Sequence, residues 1–215
     1  MESATHTGPT HDLPTSGKEL TGLSISATFH CLTGCALGEI TGLAIGTALG
    51  FSSLGTIGLA VGLAFLFGYG LTSLPLLRAG LALSVVIPIA LAADTFSIAV
   101  MELVDNLIMV FIPGAMEAGL GDILFWGSLS FALAIAALFA VPVNRWLLAR
   151  GKGHAAVHRT GIHGGPPVGL VAAVTVAAFI FGSTVLAVEL AGEDAGSSDS
   201  YGMSQSQPDG MDEHP

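Results

Sequence analysis

Five stretches of the chain, residues 23–50, 54–76, 86–112, 121–148 and 168–190, are long, apolar and almost free of charge. Each approaches or exceeds the roughly 20 residues with which a helix crosses a bilayer core. Inside lipid a backbone must satisfy its own N–H and C=O groups, and a run of this length does so as a helix. The sequence therefore predicts an all-α integral membrane protein, a bundle of about five transmembrane helices. Only 10% of the 215 residues are charged, against about 25% in soluble domains. The 29 glycines fit membrane helices whose backbones approach closely.

The remaining segments set the organisation. Residues 1–22 read as a disordered cytoplasmic tail without the basic start and apolar core of a signal peptide, and residues 191–215 as a disordered acidic tail. Between them lie a four-helix membrane domain, residues 23–160, and a linker with the fifth helix, residues 161–190. The stretch from Ala79 to Ile112 is too long for one perpendicular crossing at ~1.5 Å per residue. Residues 79–86 are accordingly expected at the interface, with a kink at Pro88 and a stop at Pro113-Gly114. Pro142 is expected to distort the end of the fourth span.

Arg78, Arg145, Arg150, Lys152 and Arg159 fall in two loops that an alternating five-span topology puts on one side. The positive-inside rule makes that side cytoplasmic. The chain is thus expected in the cell membrane with its N-terminus inside and its C-terminus outside. The formal charge of −10 comes largely from the tails and argues against nucleic acid as a partner. The lipid bilayer, a metal cation and a second copy of the chain are the partners compatible with this composition. A phosphate-binding Gly-Lys loop and a nucleophile elbow are both absent from the sequence, so no enzyme is expected.

Glycines 34, 38, 42, 46 and 50 recur every fourth residue in the first span, and Gly58 and Gly62 repeat the spacing in the second. Such ridges read as close helix–helix packing, which buries the first helix in the bundle. That helix also carries His30, Cys31, Cys35 and Glu39, and ionisable groups at membrane depth are costly enough to mark function. At 100° per residue Cys31, Cys35 and Glu39 fall within about 80° of one another, while His30 points about 100° from Cys31. Cysteines four residues apart on a helix are poorly placed for a structural disulfide. Thiolate and imidazole favour copper(I), zinc and similar ions, with Glu39 as ligand or proton acceptor.

The third span supplies a complement: Asp94, Met101, Glu102, Asp105 and Met109 lie within roughly 100° of arc, with Asn106 at its edge. Counting ~1.5 Å per residue puts Cys31 at the depth of Asp94, and Glu39 at that of Glu102. If the two helices pack together, His30, Cys31, Cys35, Glu39, Asp94, Glu102 and Asp105 form one mid-membrane set of candidate metal ligands and coupling carboxylates. The methionines read as core packing. His154, His158 and His163 follow the fourth span in a basic segment that reads first as topogenic and headgroup-facing. Its sharper reading is a metal-collecting or pH-sensing gate. Met203, Met211 and His214 are scattered copper-compatible donors in the last segment.

Three segments, Ala27-Thr28-Phe29-His30-Cys31-Leu32-Thr33-Gly34-Cys35, then Ala93-Asp94-Thr95 through Met101-Glu102 and Asp105-Asn106, then Pro142 to Trp146 through Gly153-His154, resemble the domain-of-unknown-function family DUF4396 of small prokaryotic multi-pass membrane proteins. The resemblance spans roughly residues 24–160 and implies a four-helix membrane domain, with no activity to carry over. The His-Cys-x-x-Gly-Cys run is also similar to the His-Cys motif in the glycine-rich first helix of sulfite-exporter and urease-accessory type membrane proteins, though Cys35 departs from it in spacing. Handling or transport of a soft transition-metal cation, copper- or zinc-like, or of another cation coupled to protons, is the function expected. A non-transporting membrane scaffold and a membrane dithiol redox component are the alternatives.

Overall fold

The computed structural model describes residues 16–158, 160 and 168–204. The expectations placed on residues 1–15, His163, Met211 and His214 fall outside the described residues. The order is α1 (Gly17–Leu49), α2 (Ser53–Arg78), α3 (Leu83–Phe111), α4 (Ile123–Ala149), α5 (Ala155–His158) and α6 (Val168–Ser204). All described secondary structure is helical. The first four long helices and the Gly169–Gly192 part of α6 are each long and apolar enough to cross a membrane. Leu54, Leu103, Phe111, Leu138 and Val188, on four different helices, are all more than 60% exposed in the isolated chain, as lipid-facing side chains are.

The α1–α2 seam is where the glycine period acts. Gly34, Gly38, Gly42 and Gly46 face Gly68, Ala64, Ala60 and Thr56 in antiparallel order, and a Cβ built on any of the four would lie within 3 Å of α2. The backbones thus meet at a distance that only small residues permit. Gly58 and Gly62 of α2, expected to form a packing ridge, do not: an added Cβ at either would meet nothing within 4 Å. The seam side of α2 is instead Thr56, Ala60, Ala64 and Gly68, spaced every four residues. The helices can reverse tightly because Gly50 adopts a left-handed conformation (φ 69°) and its N–H and that of Phe51 return to carbonyls of the last turn of α1.

Several boundaries move. Helix α1 begins at Gly17, inside the segment expected to be a tail, because Arg145 of α4 bonds the Gly17 carbonyl and the Thr21 hydroxyl, and Leu20 is buried with Leu148 and Ala155. The excess length before the third span is split between α2, which continues through Pro75 to Arg78, and a turn at Gly80 (φ 86°), so Leu83 already starts α3. Helix α4 is continuous through Pro142. Helix α6 extends beyond its apolar part into the acidic stretch as far as Ser204.

Helix α2 packs along α1 and against α3, α4 packs against both α1 and α3, and α6 lies on the outer side of α4. The α4–α6 contact repeats the small-residue solution: a Cβ on Gly182 would lie 2.6 Å from the Gly127 carbonyl oxygen. Phe131 and Phe179 stack beside it, 5.4 Å between centroids.

Candidate metal centre between helices one and three

Helices α1 and α3 run parallel, and their polar faces meet in register. Cys31 and Asp94 are 63 residues apart in sequence, and the Cys31 thiol donates to Asp94 Oδ1 across 3.7 Å. Glu39 and Glu102 have the same separation and stand two turns further along, within electrostatic reach of each other. Cys31 and Asp94 are fully buried.

The third member of this group comes from beyond α4. Gly151 (φ 67°) and Gly153 (φ 60°) adopt left-handed conformations that turn the chain back under the bundle. A Cβ at Gly153 would lie 3.1 Å from Leu147 Cβ, so the hairpin is pressed against α4. The turn delivers His154, 7% exposed, with Nδ1 3.3 Å from Asp94 Oδ1. Cys31, Asp94 and His154 each offer a ligand atom, all within 4.8 Å of one another. Around a tetrahedral zinc-type ion with bonds of 2.0–2.3 Å, donors stand roughly 3.3–3.8 Å apart. A small inward shift of the side chains reaches that spacing. Asp94 Oδ2 is buried without a hydrogen-bond partner. His30 is set to one side, its ring 5.8 Å from that of His154 at 72°, with a buried and unpartnered Nε2.

Asn144 of α4 fixes the helices around this group. Its amide donates to Thr28 Oγ1 of α1 (2.8 Å) and to Ser97 Oγ of α3 (3.0 Å), while Thr28 donates to the Ser24 carbonyl. Thr28, Ser97 and Asn144 were each in plain view as polar residues of apolar spans, but only the packing of three helices reveals that they meet.

The other predicted residues form a second tier. Cys35 lies one turn from Cys31 and next to Glu102, and both cysteines are free thiols. Asn106 donates to the Glu102 backbone carbonyl (2.9 Å) and to its Oε2 (3.4 Å). Glu39 and Asp105 stand close enough to hydrogen-bond each other, and Cys35 stands beside the Glu102 carboxyl. Met101 packs into the apolar core with Cys31, Cys35 and Ile98, as expected of a filler.

A cavity of about 340 Å³ runs from Glu39 and Asn106 past Thr47 and Thr56 to Glu117 in the α3–α4 loop. That loop is held by Asp122, which accepts from the Gly119 N–H at 2.8 Å, and by Trp126 of α4, which donates to the Leu120 carbonyl at 2.9 Å. Beside the mouth, Glu117, Asp122 and Glu189 of α6 line a neighbouring recess.

Residues 23–153 match the family described as "Domain of unknown function (DUF4396)". The chain belongs to this family. No curated protein and no solved structure matches it. The DUF4396 segment holds α1 from Leu23, α2, α3, α4 and the glycine turn, and therefore Cys31, Asp94, Asn144 and every carboxylate of the second tier. His154 is the first residue past it, and α6 lies wholly outside.

Proposed function

We propose that this multi-pass membrane protein binds and handles a borderline transition-metal cation within the bilayer, with Cys31, Asp94 and His154 as its donors. The convergence of these three side chains from α1, α3 and the post-α4 turn, buried and within 4.8 Å of one another, carries the reading. Sulfur, nitrogen and oxygen together suit zinc and its neighbours better than magnesium or calcium.

Charge sharpens the choice between zinc and copper(I). A thiolate, a carboxylate and a neutral imidazole carry two negative charges, which a divalent ion cancels and a monovalent ion leaves half compensated. Uncompensated charge is expensive away from water, so zinc(II) is favoured as the cargo. Binding displaces the thiol proton, and affinity rises with pH on that account. The role is that of a carrier, not an enzyme. With Arg78, Arg145, Arg150 and Lys152 on the cytoplasmic side, this centre lies nearer the cytoplasm and the 340 Å³ cavity opens to the outside.

The test is elemental analysis of the detergent-purified full chain beside Cys31→Ser, each incubated with zinc or, under reducing conditions, with copper(I), and then desalted. Near-stoichiometric zinc in the parent and at least a tenfold loss in the variant is the expected result. Equal, negligible metal in both would sink the proposal and leave a dithiol redox or scaffold role.

A further inference from the structure

The zinc-type centre has three donors, whereas the ion it suits takes four. Zinc in a closed site is held tetrahedrally by four protein ligands, and an open site fills the fourth position with water. Water has no ready access here. Cys31 and Asp94 are 0% exposed and His154 7%, and none of the three is among the residues that line the 340 Å³ cavity. The fourth ligand therefore has to come from the protein.

Two side chains stand near enough to supply it, His30 beside His154 and Cys35 one turn from Cys31. Cys35 would add a second thiolate. With the Asp94 carboxylate that makes three negative charges, one more than a divalent ion cancels, and uncompensated charge is costly at this depth. Cys35 is also engaged elsewhere, beside the Glu102 carboxyl. A second neutral imidazole leaves the loaded centre without net charge. His30 Nε2 is buried without a hydrogen-bond partner, a condition that buried polar atoms seldom keep.

The placement of the two rings fits a shared ion. Their centroids stand 5.8 Å apart. Two imidazoles on one tetrahedral ion, with bonds of about 2.0–2.1 Å, hold their centroids roughly 5.2 Å apart, so an approach of about 0.6 Å brings them to that distance. His30 and Cys31 are 100° apart on the helical wheel, an angle that the longer imidazole can span. On α2 the Leu71 backbone carbonyl stands beside the His30 ring, and the next residue, Thr72, stands beside Asp94. Metal-bound histidines commonly donate their other ring N–H to such a carbonyl. Among the described residues only Cys31, Asp94 and His154 already lie within 4.8 Å of one another, so His30 has to swing in as the ion binds.

We infer that His30 is the fourth ligand of this centre, closing a shell of Cys31, Asp94, His154 and His30 around a divalent ion and excluding water from it. The inference rests on the three-donor centre proposed above.

Zinc and cobalt(II), a spectroscopic stand-in for zinc, are the probes, used on the detergent-purified full chain. X-ray absorption of the zinc-loaded parent should show one sulfur and two imidazoles around the ion. A single imidazole would overturn the inference without recourse to any variant. Cobalt(II) in the parent should give the intense visible bands of a four-coordinate ion together with a thiolate-to-cobalt charge-transfer band. His30→Gln should keep the charge-transfer band, lose most of the visible intensity as water enters, and bind zinc at least tenfold more weakly, whereas Cys35→Ser should match the parent in all three. The thermal midpoint of each metal-free variant records its fold. Parent-like spectra and affinity in His30→Gln would overturn the inference, and so would a four-coordinate spectrum lost in Cys35→Ser. Metal that is lost in Cys31→Ser yet indifferent to His30 leaves the three-donor centre standing and removes only its fourth ligand; no metal in the parent removes both.

Discussion

Replacing Gly38 by alanine adds one methyl group where the α1–α2 seam has no room for it. The new Cβ would lie 2.5 Å from Ala64 Cα and 2.7 Å from Ala64 Cβ, whereas ordinary contact begins at 3.4 Å. No side-chain rotation relieves a clash with backbone, so the helices must part by roughly 1 Å. A gap of that size forfeits about a quarter to a half of the dispersion energy across it. Gly34, Gly42 and Gly46 share the same close approach, so the loss spreads along the seam and reaches about 2–3 kcal/mol, the upper part of the range for an overpacked core. Gly62→Ala is the matched control, since its methyl meets nothing within 4 Å. Both substitutions gain the ~1 kcal/mol helix preference of alanine over glycine, and that gain cancels in the comparison. At roughly 2–4 °C per kcal/mol for a chain of this size, Gly38→Ala should melt about 5–10 °C below Gly62→Ala in the same detergent. Equal midpoints would refute the claim that this seam is held by backbone proximity.

Two further outcomes follow from the polar interior. Asn144→Ala removes two interhelical bonds averaging about 0.6 kcal/mol each in membrane proteins; a midpoint roughly 2–5 °C lower checks this, and no change would mean that α1, α3 and α4 are held without it. Gly153→Ala puts a side chain at φ 60° and 3.1 Å from Leu147, which should loosen the turn carrying His154. Zinc affinity is then expected to fall about tenfold, the usual lower bound for disturbing a ligand's support; unchanged affinity would mean that the turn does not position His154.

The helices and the depth match between Cys31 and Asp94 were legible in the sequence because both are consequences of a constant rise per residue. Once two parallel helices begin at similar depth, residues at a fixed offset meet. The α1 glycines were legible for the same reason. The partner ridge on α2 was not, because its small residues are a mixture of Thr, Ala and Gly, and the more conspicuous Gly58 and Gly62 sit on the opposite side. His154 was the least accessible to sequence reasoning. Its place depends on two left-handed glycines that reverse the chain after α4, and a basic segment with histidines satisfies the rules for a headgroup-facing loop equally well. The glycines flanking Lys152 were the available signal. The Asn144 bonds needed three helices in their final orientation, which no single helical wheel contains.

The acidic rim formed by Glu117, Asp122 and Glu189 bears on supply as well as on binding. Because α6 crosses in the same direction as α1 and α3, it ends beside the cavity mouth and brings its own carboxylate there from outside the family segment. Counterions of two charges respond to a surface potential as its square in the Boltzmann factor. A local potential of about −30 mV, the size an anionic leaflet generates, concentrates a divalent ion roughly tenfold over bulk and a monovalent one only about threefold. On the proposed cation-handling reading, such a rim would act as an electrostatic antechamber favouring doubly charged ions before any ligand is engaged, with added salt, at a Debye length of about 8 Å at physiological strength, setting how far out it reaches.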